Sequence, residues 1–141
     1  TYISITKELY KKVKTVNGEE LQKITENSPL KIGDKVTVRM ILNTDRNMEF
    51  IHLKDMRAAG FEPVDVLSGY QWKNNLGYYQ VTKDASTNFY IEYMSKGKYV
   101  FEYDYICNVA GTFSNGITTM QNYYVPQMNA HTQGTKVSIS E

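Results

Sequence analysis

Along residues 35–43 the chain alternates, with Val36, Val38, Met40 and Leu42 on one parity and Lys35, Thr37, Arg39 and Ile41 on the other. A period of two marks a strand with one buried face. Residues 98–109 repeat the pattern more strongly. Tyr99, Phe101, Tyr103, Tyr105, Cys107 and Val109 share a face, opposed by Glu102, Asp104 and Asn108, which predicts the principal core strand. Near the start, Ile3, Ile5, Leu9 and Val13 share a parity that Lys7 and Lys11 interrupt. That pattern predicts a long strand, partly buried and close to a sheet edge. Asn17-Gly18 then predicts a type I′ turn, whose two central positions both need φ > 0, with residues 19–25 as the return strand.

Residues 48–56 carry apolar or aromatic side chains on both parities. Phe50 and His52 oppose Ile51 and Leu53, as in a central strand covered on two sides. Further strands are expected over residues 77–83, 88–94, 118–124 and 135–140. Gly60, Pro63 and Gly69 punctuate residues 57–72, so this stretch is expected to be irregular, with at most one helical turn near residues 64–67. About eight short strands with regular turn signals and almost no helical period predict an all-β fold, an antiparallel two-sheet β-sandwich. No internal repeat, low-complexity tract or linker divides residues 1–141, so one domain is expected.

Composition adds little to that picture except in its aromatics. The 141 residues are 41% hydrophobic and 22% charged, within the ordinary globular range. A net charge of +1 creates no field that would draw nucleic acid or an anionic membrane. No apolar run approaches the roughly 18 residues of a membrane span. The chain opens at Thr1 without a methionine, as expected of a piece of a larger secreted or periplasmic protein. Twelve Tyr, five Phe and one Trp suit a β core with hydroxyls at its rim.

The candidate chemistry is sparse. The two histidines, His52 and His131, sit in no metal-ligand spacing. Cys107 is the single cysteine, so no intrachain disulfide is possible. Its place within an apolar strand suits a small buried hydrophobe better than a thiolate nucleophile paired with a histidine. No nucleophile elbow, phosphate loop or dinucleotide fingerprint occurs, and the carboxylates are scattered. The sequence predicts no catalytic, cofactor or metal site. Two other functions stay open: a sugar-binding or adhesive module using Tyr70, Trp72, Tyr78 and Tyr79 as a stacking platform, and an enzyme built on Cys107 and a histidine.

Three stretches carry a family likeness. Ile32-Gly33-Asp34-Lys35-Val36-Thr37-Val38-Arg39 opens the region. Asp55-Met56-Arg57-Ala58-Ala59-Gly60-Phe61-Glu62-Pro63 follows it, similar to an Asp-Pro-Leu-Pro-Ala-Gly-Phe-Glu-Pro motif but without the two earlier prolines. The third runs through residues 99–109, Gly111-Thr112-Phe113, Tyr124-Val125-Pro126 and His131-Thr132-Gln133-Gly134. There Asn108 replaces a usual basic residue, and Ala110 replaces a proline. Together, over residues 31–139, they resemble the C-terminal macroglobulin domain of the bacterial alpha-2-macroglobulin family; residues 1–26 are compatible with its opening strands but carry no signature. The resemblance implies an immunoglobulin/macroglobulin-like sandwich with no activity of its own and no cofactor, inside a large protease trap.

The resemblance further implies partners among the other domains of the parent chain, a thioester domain above all, with proteases met only through the full-length protein. It implies a periplasmic or cell-surface location, through a lipid anchor elsewhere in the parent, and no direct membrane insertion. The thioester motif C-x-E-Q belongs to another domain of such proteins, and Cys107 does not match it. For docking, the aromatic material of residues 55–72 and 123–131 supplies the candidate contacts: Phe61, Tyr70, Trp72, Tyr123, Tyr124 and His131.

Overall fold

A computed structural model of the chain describes residues 3–25, 27–73, 75–125 and 129–141. Pro126 of the family-like tail lies outside the described residues. Fourteen strands and no helix occur among those described. They are β1 (Ile3–Thr15), β2 (Gly18–Lys23), β3 (Leu30–Lys31), β4 (Lys35–Thr44), β5 (Met48–Met56), β6 (Phe61–Pro63), β7 (Ser68–Lys73), β8 (Leu76–Thr82), β9 (Ser86–Met94), β10 (Gly97–Cys107), β11 (Gly111–Ser114), β12 (Thr118–Asn122), β13 (Asn129–His131) and β14 (Lys136–Ser140).

Two large sheets form the sandwich. The first has the order β2-β1-β4-β10-β6 and the second β13-β12-β5-β9-β8-β7. A small third sheet, β11-β14-β3, contains the parallel pair β14–β3. Both strong alternations fold as strands, but the second ends at Cys107 and leaves Val109, expected on its buried face, 48% exposed. Val36, Val38, Met40 and Leu42 are fully buried, and so are Tyr105 and Cys107. Across the gap Phe101 of β10 meets Tyr78 of β8 and Phe89 of β9, with ring centroids 5.4 and 5.1 Å apart. Burying each such side chain contributes about 1.5–3 kcal/mol relative to leaving it in water. The small sheet closes the interior near Gly60, where an added Cβ would lie 2.5 Å from the Phe113 ring and 2.9 Å from Ile139.

Three expectations need correction. Residues 57–72 contain no helical turn; they hold β6, an edge strand paired with β10, and most of β7. The β1–β2 hairpin turns on Val16 and Asn17, with Thr15 opposite Gly18. Only Gly18, at φ 103°, adopts the left-handed region there, so the two-residue type I′ geometry is not formed. Lys7, finally, does not break the buried face of β1 by reaching solvent. It turns inward, and its Nζ lies 2.7 Å from the Asp55 carboxylate, both side chains being almost wholly buried.

That pair is fully partnered. Lys7 also donates to the carbonyls of Met56 (2.9 Å) and Asn115 (3.3 Å). Asp55 accepts from the Thr118 hydroxyl at 2.7 Å and the Tyr105 hydroxyl at 3.1 Å. An ion pair without solvent is tolerated only when its remaining hydrogen-bonding capacity is filled in this way. It joins β1 and β10 of one sheet to β5 and β12 of the other.

Candidate interaction surface

The outer face of the six-stranded sheet gathers aromatic side chains by register. Tyr70 stands opposite Tyr79, Tyr79 opposite Tyr90, Tyr90 opposite His52 and His52 opposite Gln121. Residues directly paired across strands point to the same face, so this row crosses five strands. His52 stacks on Tyr90 at 4.7 Å and 3°, and lies parallel to Tyr123 at 6.2 Å. Its Nε2 is 2.8 Å from Oδ1 of Asn88, whose amide donates to Ser86. Nε2 of His52 therefore carries the proton in that contact.

Beside the row, β5 and β9 share an irregularity. Along β5, Met48 is buried, Glu49 and Phe50 both face out, and Ile51 is buried again. Along β9, Met94 is buried, Tyr93 and Glu92 both face out, and Ile91 is buried. Glu49 pairs with Tyr93 and Ile51 with Ile91, leaving Phe50 and Glu92 between them. Phe50 absorbs the turn at φ 56°, a conformation costly for a bulky side chain. Its carbonyl accepts the Tyr123 amide at 3.1 Å, and its ring meets Tyr124 edge-on at 5.0 Å. The buried Asn122 side chain accepts the amides of Tyr124 and Val125, which holds Tyr123 and Tyr124 outward together.

At the β7 edge, Tyr70 and Trp72 cover Gly77, where a Cβ would collide with the Tyr70 hydroxyl and lie 3.0 Å from the indole. Both rings keep one side open, being 71% and 69% exposed. A groove of about 370 Å³, with Gly77 in its lining, lies between Tyr70, Tyr79 and Tyr90 on one side and Phe50 and Tyr123 on the other. Glu92 is the one charged residue lining it.

Among the six contacts expected from the sequence, four share this face closely: Tyr70, Trp72, Tyr123 and Tyr124. His131 is exposed on β13, five strand spacings or about 24 Å from β7. Phe61 is core, 5% exposed and stacked on Tyr105 at 5.3 Å; it has no surface to offer. In the sugar-platform set, Tyr78 also points inward, against Phe89 and Phe101. Sequence reasoning left Tyr90, Tyr93 and Glu92 out of the surface set. Period-two counting along residues 88–94 puts Tyr90 outward correctly but cannot anticipate the irregularity that turns Glu92 and Tyr93 out together.

Nothing pairs Cys107 with a histidine. The thiol is fully buried, and burial pushes it up to about 11, whereas His52 lies on the outside of the opposite sheet. A thiol held protonated is a poor nucleophile. No group of three His, Cys, Asp or Glu is placed to hold a metal ion among the described residues. No helix among them is long and apolar enough to cross a membrane.

The family model for the bacterial alpha-2-macroglobulin MG10 domain matches residues 3–127. The chain belongs to that family. Its fold matches a part of solved bacterial alpha-2-macroglobulins. Salmonella alpha-2-macroglobulin reacted with methylamine aligns over 100% of the chain at TM-score 0.77 and 16% identity, the match covering 9% of that protein. Native Escherichia coli alpha-2-macroglobulin, in a fragment from domain MG7 to the C-terminus, aligns over 100% of the chain at TM-score 0.78 and 14% identity, covering 24% of the fragment. A non-cellulosomal cohesin from Archaeoglobus fulgidus is a more distant likeness, at TM-score 0.53 and 11% identity, over 80% of this chain and 86% of that one. At these identities the likeness concerns the fold. The macroglobulin chain thus spans about a tenth of the Salmonella chain it matches. No curated protein matches the sequence.

Proposed function

We propose that this macroglobulin domain is a non-catalytic terminal domain of an alpha-2-macroglobulin-like protease inhibitor, and that it docks through its aromatic face against another domain of the same chain, the thioester-type domain. The observation that carries the docking is the extent of that face. Phe50, Tyr70, Trp72, Tyr79, Tyr93, Tyr123 and Tyr124 are all exposed on it. Their open area is on the order of 800 Å², about one side of a standard protein interface. One of the solved relatives that the whole chain matches is an Escherichia coli fragment that runs from MG7 to the C-terminus. The whole protein would meet proteases; this domain would meet its neighbours, in a periplasmic or cell-surface parent anchored through another part of its chain.

The test challenges the full-length parent with a general protease and then separates this domain from the remainder for a binding measurement. Inhibition by the parent is expected, together with binding that Trp72→Ala with Tyr124→Ala weakens at least tenfold through loss of two of the most exposed aromatic contacts on the face. A parent that neither traps nor shields any protease ends the inhibitory reading. A sugar-binding surface is the second reading, favoured by the open ring faces of Tyr70 and Trp72 over Gly77; a glycan array with Trp72→Ala decides it.

A further inference from the structure

The groove on the aromatic face has a charge character as well as an apolar one. Tyr70, Tyr79, Tyr90 and Tyr123 line it, and the faces of tyrosine rings carry negative electrostatic potential. Glu92, the one charged residue in the lining, adds a full negative charge. That carboxylate makes no ion pair or hydrogen bond among the described residues, unlike Glu8 and Glu102, each held by a cation across its sheet. Lys54 lies opposite Asn88, four residues from Glu92 along β9 and beyond the Tyr90–His52 pair, and Arg46 lines a separate hollow on the other side of Phe50, with Glu49 and Tyr124.

Several tyrosines around an unanswered carboxylate, in a groove the size of a small ligand, form a site complementary to a cation. We infer that the groove receives an arginine side chain carried by the polypeptide that packs on this face. A planar guanidinium lies flat on a tyrosine ring while its in-plane N–H groups reach a carboxylate, a combination an ammonium group cannot match. The same groove disfavours an acidic segment, because Glu92 would face a like charge. The irregularity at Phe50 and Glu92 gives the site its shape: it turns Glu92 outward into a lining that also holds Gly77, on which the Tyr70 and Trp72 rings rest. The inference rests on the docking proposed above, to which it adds the chemistry of the partner's contact.

The experiment titrates the 141-residue chain with acetyl-Gly-Arg-Gly-amide at constant ionic strength, following the tyrosine ring signals by NMR and Trp72 by fluorescence. The citrulline version of the peptide, equal in shape and uncharged, serves as the comparison. Saturable shifts at Tyr70, Tyr79 and Tyr90 with the arginine peptide, their absence with the citrulline peptide, and about threefold or greater weakening in Glu92→Gln are expected. Equal binding of both peptides, unchanged binding in Glu92→Gln, or no saturable shift overturns the inference. So does occupation of the same signals by a neutral oligosaccharide indifferent to Glu92→Gln, or by self-association of the chain. The docking is measured separately: a Glu92→Gln domain that still docks at full strength sinks the arginine site alone, whereas arginine binding by a domain that never docks sinks the docking alone.

Discussion

Lys7 Nζ lies 2.7 Å from the Asp55 carboxylate in a region closed to solvent, and the two residues come from opposite sheets of the sandwich. Removing either one leaves the other charged and dry. Asp55→Ala or Lys7→Ala is therefore expected to cost about 3–5 kcal/mol. The double replacement Lys7→Met with Asp55→Leu should recover much of that loss, because an apolar pair of similar volume carries no desolvation cost. Urea unfolding of the three variants checks this; single variants within 1 kcal/mol of the parent sequence would contradict it.

Gly116 belongs to the same structure by a different route. It sits at φ 77°, and an added Cβ would lie 2.5 Å from the Met56 carbonyl oxygen that accepts from Lys7. Gly116→Ala is expected to destabilise by about 2 kcal/mol or more, through backbone strain and a displaced acceptor. The cost should be less than additive with Lys7→Met, which no longer uses that carbonyl. A double-mutant cycle by thermal unfolding measures the coupling.

The Cys107 thiol gives a pH signature. Burial raises it to about 11, with the nearby charge of Asp34 acting in the same direction, whereas an unfolded thiol titrates near 8.5. The folded chain thus holds its proton more tightly than the unfolded chain. The stability associated with the neutral thiol is complete below about pH 8.5 and lost as pH rises towards 11. Wild type should weaken over that window more than Cys107→Val does. Iodoacetamide at pH 8 should leave the folded thiol unmodified and label it on unfolding; rapid labelling of the folded chain is the contrary result.

Gly77→Ala separates surface from scaffold. The new methyl group meets the far ends of Tyr70 and Trp72, side chains free to swing into water, so the stability change should stay within about 1 kcal/mol. The rings must lift from the sheet, and acrylamide quenching of the single tryptophan should increase. Unchanged quenching would mean that the rings do not rest on Gly77.

Much of the sandwich could be read before any coordinates, because period two is a direct record of one-sided burial. β4, β5 and β10 were placed within a residue or two on that basis. Short strands such as β3, β6 and β13 hold two or three residues, too few for a period to register. Lys7 misled for a physical reason: on one parity of an apolar strand, a lysine reads as exposure until its carboxylate partner, 48 positions away, is known. Four of the six candidate contacts are exposed aromatics, while Phe61, included because it lies in the irregular, aromatic stretch 55–72, belongs to a family motif. That motif serves the interior here, with Asp55 held by Lys7 and Phe61 stacked on Tyr105.

The irregularity shared by β5 and β9 has an arithmetic consequence. Strike Phe50 from one strand and Glu92 from the other, and buried and open positions alternate throughout β5 and from Phe89 to Met94 in β9. The two residues therefore behave as a matched insertion, one per strand, that the hydrophobic interior neither requires nor notices. Shortening both strands together would leave a conventional sandwich without its groove, whereas shortening one alone would throw the remaining pairs out of step. Removing the groove while keeping the strand pairing therefore has to edit two distant stretches of the chain at once.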